Sequence, residues 1–275
     1  MTPLASAKPA PAALSLRQVG QVFAGGIDSK PVRALQGIDL DVAEGEFFSV
    51  IGPSGCGKST LMDITAGLII PSEGDVIFDD IPIRGTVPEG IGVVFQEDAS
   101  FPWLSVRDNV AFGLQQSGLD PAEIDRRVRY ALDFMALADF ARHHPSQLSG
   151  GMRQRVCIAR TLVQLPRLIL LDEPFAALDQ QTRLIMGEEL LRLWRETRAT
   201  ILFVTHALDE AAMLADRVGV MSARPGRFID VVATNWPRDR DSKIISDPRF
   251  GEITARLWST LRSESLRAMG RSTSD

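Results

Sequence analysis

Cysteine is scarce: the chain carries two, Cys56 and Cys157, in 275 residues. That excludes a disulfide-stapled scaffold and fits a reducing compartment. Positive charge is not in excess either. Thirty Lys and Arg stand against 35 Asp and Glu, which leaves a net charge of −5 and a pI of about 5.4. A nucleic-acid-binding surface usually needs a basic face, so this balance argues against one. Long apolar runs are missing as well. No stretch approaches the roughly 18 residues that a membrane-spanning helix requires. No internal repeat is visible. Met1 to Ala13 is rich in Ala and Pro and lacks an apolar signal core, so it is expected to be a disordered lead-in. The remaining composition is ordinary for a globular protein: 45% of residues are hydrophobic, and the length suffices for a large core.

What is present is more specific. Gly52-Pro53-Ser54-Gly55-Cys56-Gly57-Lys58-Ser59-Thr60 fits the phosphate-loop pattern G-x-x-x-x-G-K-[S/T]. Its glycines allow positive φ and let the backbone come close to an anion. Successive N–H groups then form an anion-binding concavity, and the following helix points its positive end at it. Lys58 can reach the terminal phosphates, and the Ser59 hydroxyl can ligate Mg²⁺. The flanks agree: residues 46–51 read as a buried strand and 60–66 as a helix. Cys56 reads as a small residue tolerated inside the loop.

Two further segments carry chemistry. Leu148-Ser149-Gly150-Gly151-Met152-Arg153-Gln154 is a Ser-Gly-Gly turn leading into a helix start. It offers a second place where backbone N–H groups could meet phosphate oxygens. One nucleotide needs one such cradle, so a second suggests a nucleotide held between two copies of the chain. Arg167-Leu168-Ile169-Leu170-Leu171-Asp172-Glu173-Pro174 reads as a central parallel strand buried on both faces. Its two carboxylates fall at the C-terminal end, where open α/β sheets bind ligands. Asp172 is placed to hold Mg²⁺ directly or through water, and Glu173 to orient or deprotonate an attacking water.

These motifs, in this order, resemble the nucleotide-binding subunits of ATP-binding cassette (ABC) transporters, and residues 101–110 with Ser222-Ala223-Arg224-Pro225-Gly226-Arg227 most resemble the importer branch handling nitrate, sulfonates and taurine. The resemblance covers roughly residues 14–232. Residues 52–60 correspond to the Walker A motif, 168–173 to Walker B and 148–154 to the signature that sets this family apart from other P-loop proteins. It also implies roles for residues that would be unremarkable alone. Gln96, closing Val93-Val94-Phe95-Gln96, takes the Q-loop position near Mg²⁺ and the water. His206 takes the switch position at the γ-phosphate. Phe23 falls where the family stacks an aromatic on adenine, and Ala177-Leu178-Asp179 matches the D-loop. Two residues depart from the family pattern: Ala176 replaces a common Ser, and Ala207 a common Asp.

The implied fold is α/β, of the P-loop NTPase (ABC-type ATPase) kind. It has a mostly parallel core sheet, an antiparallel β portion and a helical subdomain at about residues 97–150. In that subdomain Asp120-Pro121 is a good helix start, and Val128, Ala131, Leu132, Met135 and Leu137 recur at helical spacing. The ATP-binding domain is expected over 14–232. The tail at 233–275 is expected to carry a short amphipathic helix built on Ile253, Leu257, Trp258 and Leu261. The implied activity is ATP hydrolysis with Mg²⁺, in a homodimer that sandwiches ATP. Its partners are integral membrane permease subunits and, indirectly, a solute-binding protein, with no nucleic acid. The chain would lie peripherally on the cytoplasmic face of the inner membrane. The apolar loop Ser100-Phe101-Pro102-Trp103-Leu104 is the expected permease contact. Two other classes stay open: a soluble ABC-type ATPase unconnected to transport, and another P-loop kinase or NTPase. The first usually carries a coiled-coil insert or two cassettes, and the second would lack the Ser149-Gly150-Gly151 turn.

Overall fold

A computed structural model describes residues 12–25, 30–96 and 99–268. The expected lead-in lies outside the described residues except for Ala12 and Ala13, which already open a strand. The elements run β1 (Ala12–Phe23), β2 (Val32–Ala43), β3 (Phe47–Ile51), α1 (Lys58–Thr65), β4 (Glu73–Phe78), β5 (Ile81–Pro82) and β6 (Ile91–Val94). Then follow α2 (Val106–Ala111), α3 (Pro121–Phe134), α4 (Gly150–Leu162), β7 (Leu168–Asp172), α5 (Gln180–Thr197), β8 (Thr200–Val204) and α6 (Leu208–Leu214). Strands β9 (Arg217–Met221) and β10 (Phe228–Ala233) and helix α7 (Pro248–Ala268) complete the chain.

The apolar runs that read as central strands form a six-stranded sheet in the order β10-β9-β3-β8-β7-β6. Strands β9, β3, β8, β7 and β6 are parallel, and β10 joins the edge antiparallel. Alternation across the sheet splits each strand between two cores. Phe47, Ile51, Ile169, Leu171, Ile201 and Phe203 face the helices α2–α7. Phe48, Val50, Leu168, Leu170, Leu202 and Val204 face α1 and a second sheet. Being covered on both faces explains why β3, β7 and β8 are uninterrupted apolar runs. The second sheet is the antiparallel portion, four strands in the order β2-β1-β4-β5. The α/β class with a mostly parallel core and an antiparallel part is what the structure shows.

Between β6 and β7 the described chain is helical or irregular. Asp120 caps α3 by accepting from the Ala122 N–H at 2.8 Å, with Pro121 in the first turn. Val128, Ala131 and Leu132 form the buried stripe of that helix. The tail differs from expectation in length: α7 runs 21 residues. Phe250, Leu257 and Leu261 are buried on the chain's own β9–β10 and α6 side, whereas Trp258 stays 55% exposed. Among the described residues no helix is long and apolar enough to cross a membrane.

Candidate nucleotide site

The phosphate loop joins β3 to α1, and its geometry follows from its glycines. Gly55 and Gly57 sit at φ of 73° and 111°, in the left-handed region open to glycine. A Cβ on Gly57 would also stand 2.8 Å from Leu35 Cδ2 and 3.0 Å from the Ala34 carbonyl. Gly57 is the N-cap of α1 and makes no side-chain cap, which leaves the first-turn N–H groups available to an anion. The Lys58 ammonium is buried and turned back onto the loop, donating to the carbonyls of Gly52 (2.9 Å) and Pro53 (3.1 Å). An anion in the cradle would give that ammonium a charged acceptor.

A cleft of about 410 Å³ opens over this loop, lined by Phe23, Val32 and Ala34 at one end and by Ser54, Gly55, Gly57, Lys58, Ser59 and Thr60 along its floor. Phe23 is half-exposed there and presents a flat apolar face beside the loop. Pro53 and Cys56 serve from behind. Cys56 is buried, and its burial raises the thiol pKa despite Lys58 nearby, so it is a poor thiolate. At the other end of the cleft stand Gln96 and Glu173. Here three strand ends converge on one carboxylate. Glu173 Oε2 accepts from Gln96 Nε2 at 3.1 Å and lies 3.2 Å from His206 Nδ1. Glu173 itself has φ 47°, a costly conformation for a side chain with a Cβ. Its N–H is fixed on the Val204 carbonyl at 2.9 Å. The backbone thus turns sharply to aim this carboxylate into the cleft.

Asp172, one residue earlier, is 8% exposed, and its Oδ1 has no hydrogen-bond partner among the described residues. Burial raises its pKa, opposed by a hydrogen bond from Ser59. An orphaned buried oxygen beside a hydroxyl and a phosphate cradle is the donor set that a divalent cation would complete, so these residues fit Mg²⁺. Gln96 lies across the same cleft with an amide oxygen free to add to the set. Because the native state holds the Asp172 proton more tightly than the unfolded chain, stability falls as pH rises through the carboxylate range and is lowest once the group ionises. Asp172→Asn is therefore expected to stabilise the nucleotide-free protein at pH 7 by about 1 kcal/mol, worth roughly 2–4 °C in Tm. The gain should shrink as pH falls and vanish only below the ordinary Asp pKa of about 3.9, where the carboxyl is protonated in the folded and unfolded chain alike. A Tm at pH 7 unchanged or lower than wild type in calorimetry would contradict it.

The Ser149 turn is not part of this cleft. Ser149 caps α4, accepting from the Met152 N–H at 3.3 Å, and Gly150 and Gly151 form its first turn. A Cβ on Gly151 would come within 2.5 Å of Leu178 Cδ2, so a side chain there would push that methyl aside where this turn packs against the segment ending in Asp179. Asp179 caps α5 by accepting from Gln181 and Thr182, which lowers its pKa. Among the sequence-chosen residues Phe23, Ser54, Gly55, Gly57, Lys58, Ser59, Thr60, Gln96 and Glu173 line the cleft, His206 adjoins it through Glu173 and Asp172 through Ser59, and Gly52, Pro53 and Cys56 do not line it. Ser149–Gly151 and Asp179 do not line their cleft.

Sequence reasoning missed three supports. Thr205 Oγ1 donates to Glu210 Oε2 at 2.6 Å and accepts the Ala207 N–H at 3.0 Å. Glu210 is paired with Arg183 at 3.2 Å. This bracket fixes the turn carrying His206, next to Ala207, the N-cap of α6, which makes no side-chain cap. Asn109 is fully buried and pins the Phe101–Ser105 loop. Arg224 lines the cleft. A polar residue amid an apolar helical stripe was the available signal for Asn109; Arg224 carried only its place in the family-like segment 222–227, with no hint of a role at the cleft. A separate apolar cavity of about 200 Å³ between α3, α4 and α5 is lined by Tyr130, Phe134 and Leu193; no phosphate-binding backbone faces it.

Comparison with known proteins places the site in a class. The family model for ABC transporter ATP-binding domains matches residues 35–176. The chain is 48% identical over 225 residues to an ATP-binding protein of Brucella abortus, covering 82% of this chain and 86% of that one. It is 43% identical over 235 residues to the taurine import ATP-binding protein TauB of Roseobacter denitrificans, covering 82% and 87%. It is 40% identical over 255 residues to the nitrate import ATP-binding protein NrtD of a Synechocystis species, covering 90% and 95%. A solved dimeric ATP-binding cassette in a post-hydrolysis state, bound to ADP and Pi, superposes with a TM-score of 0.73 at 32% identity, over 82% of this chain and all of that one. The chain belongs to the ABC transporter family as an ATP-binding subunit, and it is an ATPase.

Proposed function

We propose that this chain energises a bacterial importer of a small solute such as nitrate, a sulfonate or taurine, acting as an ATP-sandwich homodimer docked on membrane permease subunits at the cytoplasmic face. The observation that carries the site assignment is the convergence of Gln96 and His206 on Glu173 beside the phosphate loop. Glu173 takes the proton of the attacking water or orients it, and Gln96 and His206 hold the carboxylate in place. Lys58 and the loop N–H groups bind the phosphates, and Phe23 stacks on the base. Ser59, Asp172 and Gln96 would hold Mg²⁺, which when bound would neutralise charge on the transferred phosphoryl group.

The dimer follows from what the single chain leaves apart. The Ser149–Gly151 turn, Asp179 and the cleft are separate in one copy. A head-to-tail pair brings the turn of one copy to the phosphates of the other, as the notion of two cradles for one nucleotide requires. Residues 97–150 are the part that presents this turn. Binding energy drawn from both copies then closes the seam, and hydrolysis releases it. The taurine and nitrate relatives support the solute class, and the dimeric solved cassette supports the pairing.

The permease contact rests on Trp103. It is 71% exposed and stacks on Phe101 at 5.5 Å, with Phe112 4.6 Å from Phe101 on the other side. An exposed aromatic step on a braced loop suits a docking surface better than a core. Trp103→Ala is expected to keep the ATPase rate of the isolated subunit within about twofold and to abolish measurable transport in reconstituted vesicles, a loss of the order expected for a central interface aromatic. Transport equal to wild type would remove this contact. Co-purification of the tagged chain from detergent-solubilised membranes with a polytopic protein tests the importer reading itself; recovery without a membrane partner would favour a cytosolic ATPase.

A further inference from the structure

The turn Ser222–Arg227 belongs to none of the nucleotide motifs, yet through Arg224 it reaches the nucleotide cleft. Its middle residue, Arg224, lines that cleft and donates Nε and Nη2 to the Gly55 carbonyl at 3.1 and 2.9 Å. Among the described residues no carboxylate pairs with this guanidinium. A lone carbonyl leaves most of its five N–H donors without an acceptor, on the rim of a concavity built for anions. The turn is held from three sides. Ser222 Oγ accepts from Arg227 N–H at 3.2 Å and donates toward the Pro225 carbonyl at 3.0 Å. Gly226 is clamped to β2, with Gly226 N–H on Ala34 O at 2.8 Å and Gln36 N–H on Gly226 O at 3.0 Å. Gly226 also passes so close to the phosphate loop that a Cβ would meet the Cys56 carbonyl at 2.2 Å.

The third side is the C-terminal helix. Glu264 in α7 is 5% exposed, and its Oε2 accepts the Ala223 N–H at 2.8 Å. Arg267 pairs with its other oxygen at 2.7 Å. A buried carboxylate on the last helix thus fixes the backbone one residue before the arginine that touches the phosphate loop. We propose that Arg224 is a nucleotide-binding residue that contacts the phosphate chain, and that Glu264 is its positioning residue, so that α7 sets nucleotide affinity. This rests on the reading of residues 52–60 as the nucleotide cradle.

The test is equilibrium binding of ADP to the full chain, with ATPase KM and kcat measured alongside. A guanidinium–phosphate contact is a charge-assisted bond, so Arg224→Gln should weaken ADP binding about 10-fold or more and raise KM while kcat holds within about threefold. Glu264→Gln keeps an oxygen for the Ala223 N–H and should bind ADP within about threefold of wild type. Glu264→Leu removes the acceptor and should lose affinity as Arg224→Gln does. The double variant should be no weaker than the worse single one, because both changes break one contact. Should Glu264→Leu fail to fold, Glu264→Ser, which lets water reach the N–H, takes its place. Wild-type affinity in Arg224→Gln overturns the contact. Wild-type affinity in Glu264→Leu or Glu264→Ser, or additive losses in the double variant, overturns the positioning. Failure of the unaltered chain to bind ADP would instead overturn the cradle reading on which both depend.

Discussion

Replacing Glu173 with Gln should leave a protein that binds ATP, pairs with a second copy and does not turn the nucleotide over. Gln fills the same space and keeps an oxygen within reach of Gln96 Nε2, so the cleft should survive the change. It cannot accept a proton from water. Loss of a general base typically costs about 10²- to 10⁴-fold in rate, and the fall should appear in kcat. Nucleotide affinity rests on other groups, chiefly Lys58 and the loop N–H groups, and should persist. If the seam model holds, blocking hydrolysis blocks its reopening. Size-exclusion chromatography with light scattering should then show a dimer that requires ATP and disappears with ADP. A variant that stays monomeric at saturating ATP and Mg²⁺ would sink the seam. A variant with near wild-type turnover would move the base elsewhere, and His206, 3.2 Å from the carboxylate, would be the next residue to test.

Local pattern and fixed spacing were legible in the chain; three-dimensional bracing was not. The phosphate loop shows in sequence because Gly55 and Gly57 must adopt positive φ and because Lys58 and Ser59 follow at fixed spacing. Strands β3, β7 and β8 show because burial on both faces demands apolar runs. The meeting of Gln96, Glu173 and His206 was reachable through family resemblance alone, since these residues close three different strands and no local pattern links them. The link between Arg224 and Glu264 was invisible for the same reason: 40 positions apart, they are joined through one backbone N–H, that of Ala223. The tail helix was legible by its apolar spacing. Its length was not, because its later turns are held by Glu264 and Arg267, which read as solvated charges in a linear view.

Asn109 carries the second large expectation. It is wholly buried in α2, and its side chain adds to the few backbone hydrogen bonds that hold the Phe101–Ser105 loop. Oδ1 accepts the Phe101 N–H at 2.7 Å, and Nδ2 donates toward the carbonyls of Phe101 (3.0 Å), Leu104 (3.1 Å) and Ser105 (3.0 Å). Asn109→Leu has similar volume but strands the Phe101 N–H and the Leu104 carbonyl, while the Phe101 and Ser105 carbonyls keep the Leu104 and Asn109 backbone N–H groups. Each buried polar group left unpaired costs about 1–3 kcal/mol. The loop is partly exposed and would relax to let water in, so the net loss should be about 3 kcal/mol rather than the full sum. For a chain of this size that corresponds to roughly 6–12 °C in Tm. The loop also seats Trp103, and Arg160 lies over the Phe101 ring at 4.6 Å, so loosening it should unfasten the docking step without touching Lys58 or Glu173. The expected result is therefore a split: a lower Tm and faster amide exchange at 101–105, with ATPase activity of the isolated subunit near wild type below the new Tm. A Tm within about 2 °C of wild type would show that the loop holds itself. Loss of ATPase in a folded variant would mean that this loop and the Glu173 cluster, which share the segment after Gln96, are coupled within one chain.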